Sequence, residues 1–204
     1  MSLNRLRFKR FKRILTHGLL AGWYWRKSNY SPPSPYKIKK SILLSNSLRD
    51  APWIETGTYL GETTKFLARF YPYVITFEPS KSHYFYAMNR FKKTENITVI
   101  NSTSENGLNK CVSKLSGEIN FYLDGHSSGD STFEGNSRTP IRYELEIIEK
   151  NLIKFSKLFV AIDDFRVFGS SDNIYPSNYY LVNFCKKNKL KWKVEQDIFM
   201  FTNY

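Results

Sequence analysis

The chain is poor in cysteine: Cys111 and Cys185 are the only two among 204 residues. They stand in no metal or redox spacing, which excludes a disulfide scaffold and leaves two buried or neutral thiols. Apolar runs are short as well. The longest near the start, Ile14 to Trp25, is broken by His17 and cannot span a bilayer. It has a basic front like a signal peptide, but no small-residue cleavage site follows, so the expected location is cytoplasmic. Acidic residues are missing from one region altogether. Residues 1–40 hold eleven Lys and Arg and no Asp or Glu, whereas the rest of the chain holds twenty and eighteen. The net charge of +13 therefore belongs to an N-terminal arm. A nearly neutral body argues against nucleic acid as the partner.

What is present is an ordinary share of hydrophobic residues, 41%, and a high share of aromatics, 17%. The length fits one domain with a full core and a modest extension. In the arm, Leu3, Leu6, Phe11, Ile14, Leu15, Leu19, Leu20 and Trp23 recur at near-helical spacing among Arg5, Arg7, Lys9, Arg10, Lys12 and Arg13. This pattern predicts a basic amphipathic helix, with residues 1–30 suited to an anionic membrane surface and a peripheral location there. Ser31-Pro32-Pro33-Ser34-Pro35 reads as a linker, because proline removes helix donors and fixes φ. The expected division is thus an extension over 1–40 and a main domain over 41–204.

From Pro52 onward strand and helix patterns alternate. Strands are predicted at Trp53–Thr56, Val74–Phe77, Ile97–Asn101, Ile119–Asp124 and Leu158–Ile162. Helices are predicted at Gly61–Phe70, Ser80–Lys93, Glu105–Lys114, Arg142–Phe155 and Asn178–Lys187. Leu190–Glu195 and Ile198–Thr202 read as two strands joined tightly at Gln196-Asp197. Repeated βα units imply a parallel, doubly wound α/β sheet, here of about seven strands with an antiparallel C-terminal pair. Ligands bind such sheets at the carboxyl ends of the strands.

The residues at those ends are informative. After the first strand comes Glu55-Thr56-Gly57-Thr58-Tyr59-Leu60-Gly61-Glu62-Thr63-Thr64, a glycine turn that opens a helix and lets a ligand approach the backbone. After the second comes Glu78, twenty-one residues beyond Gly57. A carboxylate at about that offset can accept both ribose hydroxyls of a nucleoside, and it can also stabilise the helix that follows. After the third come Ser104 and Glu105, which cap the next helix or border a base pocket. After the fourth and fifth come Asp124-Gly125-His126 and Asp163-Asp164-Phe165-Arg166. Three carboxylates converging at one edge repel unless a proton or cation intervenes, and Mg²⁺ with Asp124, Asp163 and Asp164 as ligands meets that need. The bland alternative has Asp163 and Asp164 capping a loop, with Asp124 alone facing the site.

These motifs resemble class I, S-adenosylmethionine-dependent methyltransferases, and within them the catechol-type O-methyltransferases. The turn Glu55-x-Gly57-x-Tyr59-x-Gly61 is similar to that family's cofactor motif, with an aromatic in place of its middle glycine. Glu78-Pro79 looks like its ribose-binding acid, and Ser104-Glu105 like its adenine-side pair. Asp124, Asp163 and Asp164 match its metal ligands, except that the last is usually Asn. The likeness covers residues 51 to about 166 in order and spacing. One departure is chemical: the family carries a Lys base three residues after the first metal Asp, where this chain has Ser127. Asp-Gly-His and Asp-Asp-x-Arg are closer to bacterial sugar methyltransferases and to macrolide-sugar O-methyltransferases.

The resemblance implies a Rossmann-like fold and S-adenosylmethionine as cofactor, held by Glu55, Thr56, Gly57, Thr58, Tyr59, Gly61, Thr63, Thr64, Glu78, Ser104, Glu105 and Asp124. It implies O-methylation of a hydroxylated small-molecule or glycan acceptor, with catalysis by His126, Asp124 and Arg166. His126 would take the acceptor's proton, or it is a hydrogen-bonded loop residue. Arg166 would orient the acceptor, or it pairs with an aspartate. A different class of reading keeps the nucleoside site without turnover, since fold does not imply function.

Overall fold

The computed structural model describes residues 3–18, 21–124, 139–170 and 174–204. Five short strands, β1 (Trp53–Thr56), β2 (Val74–Phe77), β3 (Ile97–Ile100), β4 (Glu118–Leu123) and β5 (Lys157–Ile162), are parallel. The hairpin β6 (Lys191–Glu195) and β7 (Ile198–Thr202) closes the sheet, with β7 antiparallel to both β5 and β6. The sheet order is β3-β2-β1-β4-β5-β7-β6. This is the doubly wound mixed sheet expected from the sequence. Its order reverses beside β1, which opens the crevice where such sheets take ligands.

The described helices are α1 (Leu3–Gly18), α2 (Ala21–Lys27), α3 (Tyr36–Asn46), α4 (Glu62–Phe70), α5 (Lys81–Phe91), α6 (Ser104–Val112), α7 (Ile141–Asn151) and α8 (Asn178–Lys187). Side chains alternate across each strand, so the sheet has two apolar faces. Ile54, Phe121, Leu123, Val160, Ile162 and Phe199 pack with Leu108 of α6, Leu145 and Ile148 of α7, and Leu181 of α8. Trp53, Tyr122, Phe159, Ala161 and Met200 pack on the other face with Ile42 and Leu43 of α3 and Leu67 of α4. Cys185 is buried in the first of these layers and Cys111 half-buried, and both are free thiols. Burial lifts the Cys185 thiol to about 12, so it stays neutral.

The arm differs from its sequence reading in two ways. The continuous amphipathic pattern is divided between α1 and α2. The boundary drawn between residues 40 and 41 falls inside α3, which follows Pro35 directly and buries Ile42 and Leu43 in the core. Among the described side chains of α1, Leu6 alone inserts fully, against Leu60 and Tyr86. Phe11, expected on the apolar face, is 61% exposed. Among the described residues no helix is long and apolar enough to cross a membrane.

Candidate active site

The strand register builds the site. Thr56 pairs with both Phe77 and Leu123, Phe77 with Ile100, and Leu123 with Ile162. The five parallel strands therefore end in line. The next residues continue the ladder by one bond: Gly57 N–H donates to Phe77, Glu78 N–H to Ile100, Asp124 N–H to Thr56 and Asp163 N–H to Leu123. Gly57, Glu78, Asp124 and Asp163, all singled out in the sequence, thus share one edge of the sheet.

The glycine turn is held by left-handed backbone at Gly57 (φ 90°), Tyr59 (φ 49°) and Gly61 (φ 69°). At Gly61 a Cβ would lie 2.7 Å from the Phe91 ring, so both the conformation and the space demand glycine there. The turn rests on a buried polar layer. Thr64 Oγ1 donates to Glu55 Oε2 at 2.5 Å, and the Thr58 and Thr76 hydroxyls are 2.7 Å apart. Burial pushes Glu55 up to about 7, against the hydroxyls of Thr64 and Thr76.

This layer places part of the expected contact set beneath the turn. Glu55, Thr56 and Thr64 are at most 1% exposed and have no surface to offer a ligand. They support the turn from beneath, as Thr58, 3% exposed, does through Thr76. Thr63 is engaged by α3, accepting a hydrogen bond from Tyr36 Oη at 3.0 Å. The helix cap is also moved by one residue: Thr103, not Ser104, accepts the Asn106 N–H at the start of α6. Ser104 is buried and Glu105 half-buried in the first turn of that helix.

Glu78 is 5% exposed and draws Tyr59 N–H to Oε2 at 2.7 Å and Ser80 N–H to Oε1 at 2.9 Å. Burial pushes its carboxyl up to about 7, opposed by those two donors. A carboxylate has about four acceptor positions, so two remain for ligand hydroxyls. His83 stands beside it, its Nδ1 3.0 Å from Ser80 Oγ and its ring 5.1 Å from the Tyr59 ring. Burial, with Lys9 nearby, holds its pKa down at about 4, so the imidazole is neutral. His83 Nε2 is buried with no hydrogen-bond partner. An orphaned nitrogen beside a half-satisfied carboxylate at the reversal of the sheet fits a nucleoside. Sequence reasoning passed over His83, which looks like an ordinary helix residue.

Asp163 and Asp164 do come together, but around a lysine, with Asp124 within its field. Lys39 Nζ, from α3, lies 2.5 Å from Asp163 Oδ1 and 3.2 Å from Asp164 Oδ1. Burial disfavours its charge, yet Asp163, Asp164 and Asp124 together raise its pKa above the usual range. Tyr122 Oη donates to Asp163 Oδ2 at 2.6 Å. Asp164 adopts a left-handed φ of 54° and accepts from Arg166 Nη1 at 2.7 Å, and Arg166 also binds buried Asp197. The residues present do not fit the expected Mg²⁺. The cation that offsets the carboxylates is the Lys39 ammonium, and both Asp163 oxygens are committed to Lys39 and Tyr122. Among the described residues no group of three His, Cys, Asp or Glu is arranged to hold a metal. Arg166 takes the reading in which it pairs with aspartates. The expected base, His126, lies outside the described residues, as do Gly125 and Ser127.

A scan against protein-family models finds no match, and a search of curated proteins finds none either. Solved structures do match. An rRNA methylase from Streptococcus thermophilus is 17% identical, with 84% of this chain and 96% of that one covered at a TM-score of 0.50. The chain has the class I methyltransferase fold. A SAM-dependent methyltransferase from Aquifex aeolicus aligns at 15% identity over 86% and 93% of the chains, with a TM-score of 0.52. Aeropyrum pernix fibrillarin, solved with natively bound S-adenosyl-L-methionine, aligns at 13% identity over 81% and 73%, with a TM-score of 0.51.

Proposed function

We propose that the protein is an S-adenosylmethionine-dependent methyltransferase that methylates a hydroxyl of a sugar-containing or small-molecule acceptor. One observation carries this reading. A glycine turn and a buried, half-satisfied carboxylate stand side by side at the reversal of a methyltransferase-type sheet, one strand from Asp124. S-adenosylmethionine, when bound, supplies an electrophilic methyl group on a sulfonium sulfur.

The chain's own residues do the rest. Glu78 accepts the ribose hydroxyls, and the turn from Gly57 to Gly61 gives close backbone approach. Ser104 and Glu105, at the start of α6, border the base. Asp124 follows β4 beside the turn and lies within the field of Lys39 and Tyr122. It accepts the acceptor's hydroxyl hydrogen bond and orients the oxygen for in-line attack. The proton leaves to Asp124 or to His126, whose unperturbed pKa of about 6.5 suits that task. Lys39 reduces the repulsion among the aspartates, so no divalent cation is required to assemble the centre.

The reading is tested with labelled methyl donor against a panel of glycans, sugar nucleotides and small alcohols. Transfer to an oxygen, unchanged by excess EDTA and lost in Asp124→Asn, is the expected result. If S-adenosylhomocysteine gives the same thermal shift for wild type and Glu78→Ala, the nucleoside site is misplaced and the reading fails at its first step.

A further inference from the structure

A cavity of about 550 Å³ lies between α1 and α5, behind the glycine turn, lined by Arg7, Arg10, Phe11, Tyr86, Asn89, Arg90 and Lys92. Four of its seven lining residues are cations and none is an acid. The adjacent carboxylate is Glu62, which binds Arg10 and lies 3.1 Å from Arg90 Nη1. One negative charge against four positive ones leaves the cavity strongly electropositive. Arg90 also holds the Leu60 carbonyl through Nη1, while its Nη2 is fully buried with no hydrogen-bond partner. A buried guanidinium nitrogen without an acceptor is costly and calls for an anionic oxygen.

The surroundings indicate what carries that oxygen. Phe8 and Phe11 stand three residues apart on α1, 69% and 61% exposed, on the side opposite buried Leu6. Arg5 and Arg7 on the same helix are also exposed. Trp23 and Tyr24 on α2 are more than half exposed as well. Aromatic rings outward and basic side chains alongside are the pattern of a helix lying in a membrane interface. An extended nucleic acid fits less well, because the charge outside residues 1–40 is nearly balanced and supplies no basic track.

We infer that the cavity between α1 and α5 binds the phosphate of an anionic lipid headgroup while Phe8 and Phe11 enter the adjoining acyl region. Arg90 and Arg10 supply the inner donors, and Arg7 and Lys92 the outer ones. Docking would place the acceptor crevice near the bilayer surface. The inference does not depend on methyl transfer, and its test reads binding alone.

The test is flotation of the full chain at low salt with vesicles of phosphatidylcholine, with and without phosphatidylglycerol. Co-flotation with the anionic vesicles only is expected. Arg7→Gln combined with Lys92→Gln removes two exposed cations without touching the core, and should lower the partition by about thirty-fold. Phe8→Ser with Phe11→Ser should abolish flotation yet keep the thermal shift produced by inorganic phosphate. Equal flotation of wild type and the Arg7/Lys92 variant overturns the inference. So does stabilisation by inorganic phosphate without any vesicle binding, which would mark a soluble-anion site. Single-stranded RNA bound more tightly than anionic vesicles, and released by the same two substitutions, would replace the lipid with nucleic acid.

Discussion

Lys39 Nζ sits 2.5 Å from Asp163 Oδ1, joining α3 to the end of β5 across more than a hundred residues of sequence. Both side chains are nearly buried, at 12% and 6% exposure. Removing one partner of a buried pair leaves the other uncompensated, at a cost of about 3–5 kcal/mol. Lys39→Ala should therefore lower the melting temperature strongly. It should also create what the wild type lacks, a cluster of carboxylates open to a hard cation. Thermal shift with millimolar Mn²⁺ is the check: no effect on wild type, and partial rescue of Lys39→Ala. A wild-type protein stabilised by Mn²⁺ and weakened by EDTA would mean that Lys39 yields its place to a metal.

Gly61→Ala should be among the most damaging single substitutions near the site. The added Cβ would lie 2.7 Å from Phe91 Cζ, and the residue keeps a φ of 69°. Left-handed backbone at a non-glycine residue costs about 1 kcal/mol or more, and displacing a buried ring adds to it. The turn would shift away from the Glu78 carboxylate that Tyr59 N–H contacts. Chemical denaturation should show a loss of about 2–3 kcal/mol. S-adenosylhomocysteine affinity should fall at least tenfold, as read by calorimetry.

The nucleoside site should titrate near neutral pH. Glu78 has its carboxyl raised to about 7 by burial, and ribose hydroxyls donate more strongly to the ionised form, which offers all its acceptor positions. Affinity for S-adenosylhomocysteine should rise about tenfold per pH unit below 7 and level off above it, with a proton released on binding. Calorimetry in two buffers of different ionisation enthalpy measures that proton. Glu78→Gln should bind more weakly with a flat pH profile. The stability of the free protein should run the opposite way. Glu55 and Glu78 hold protons in the folded state that the unfolded chain releases above about 4.5, so stability falls as pH rises from there to about 7. A pH-independent affinity in wild type would remove Glu78 from the binding role.

Much of this arrangement is legible in the sequence because it is periodic or local. Trp53–Thr56, Val74–Phe77, Asn178–Lys187 and Ile198–Thr202 are read to the residue, since apolar runs bounded by turn residues leave little choice. The Gln196-Asp197 turn is visible too, and the structure gives both residues positive φ as a two-residue hairpin requires. The line of Gly57, Glu78, Asp124 and Asp163 follows from βα alternation alone. What escapes is whatever depends on a distant partner. Lys39 lies in a stretch that reads as the end of a linker, and nothing local tells an exposed lysine from one drawn into three aspartates. Glu55 and Thr64 look like ligand contacts because they flank the glycines, and only burial shows that they bond each other. The offset between Leu6, which is buried, and Phe11, which is exposed, depends on where α1 lands on α5 and not on the periodicity of α1.

That landing can be tested at one residue. Leu6 is fully buried against Leu60 and Tyr86, and Lys9 lies 5.2 Å above the Tyr59 ring. The two main apolar layers of the domain do not include Leu6. An unpaired carboxylate in this contact costs several kcal/mol, more than one apolar anchor contributes, so Leu6→Asp should release α1 and leave the body folded. Trypsin should then cut among Arg5, Arg7, Lys9 and Arg10 much faster than in wild type, while the main thermal transition moves little. S-adenosylhomocysteine should bind several-fold more weakly, because Tyr59 and Leu60 of the glycine turn lose the helix that covers them. Leu6→Met, which keeps the volume and the apolar contact, should restore both the protection and the affinity. Equal cleavage of wild type and Leu6→Asp would show that α1 does not dock on α5 in solution, and the α1–α5 cavity would then lose one wall.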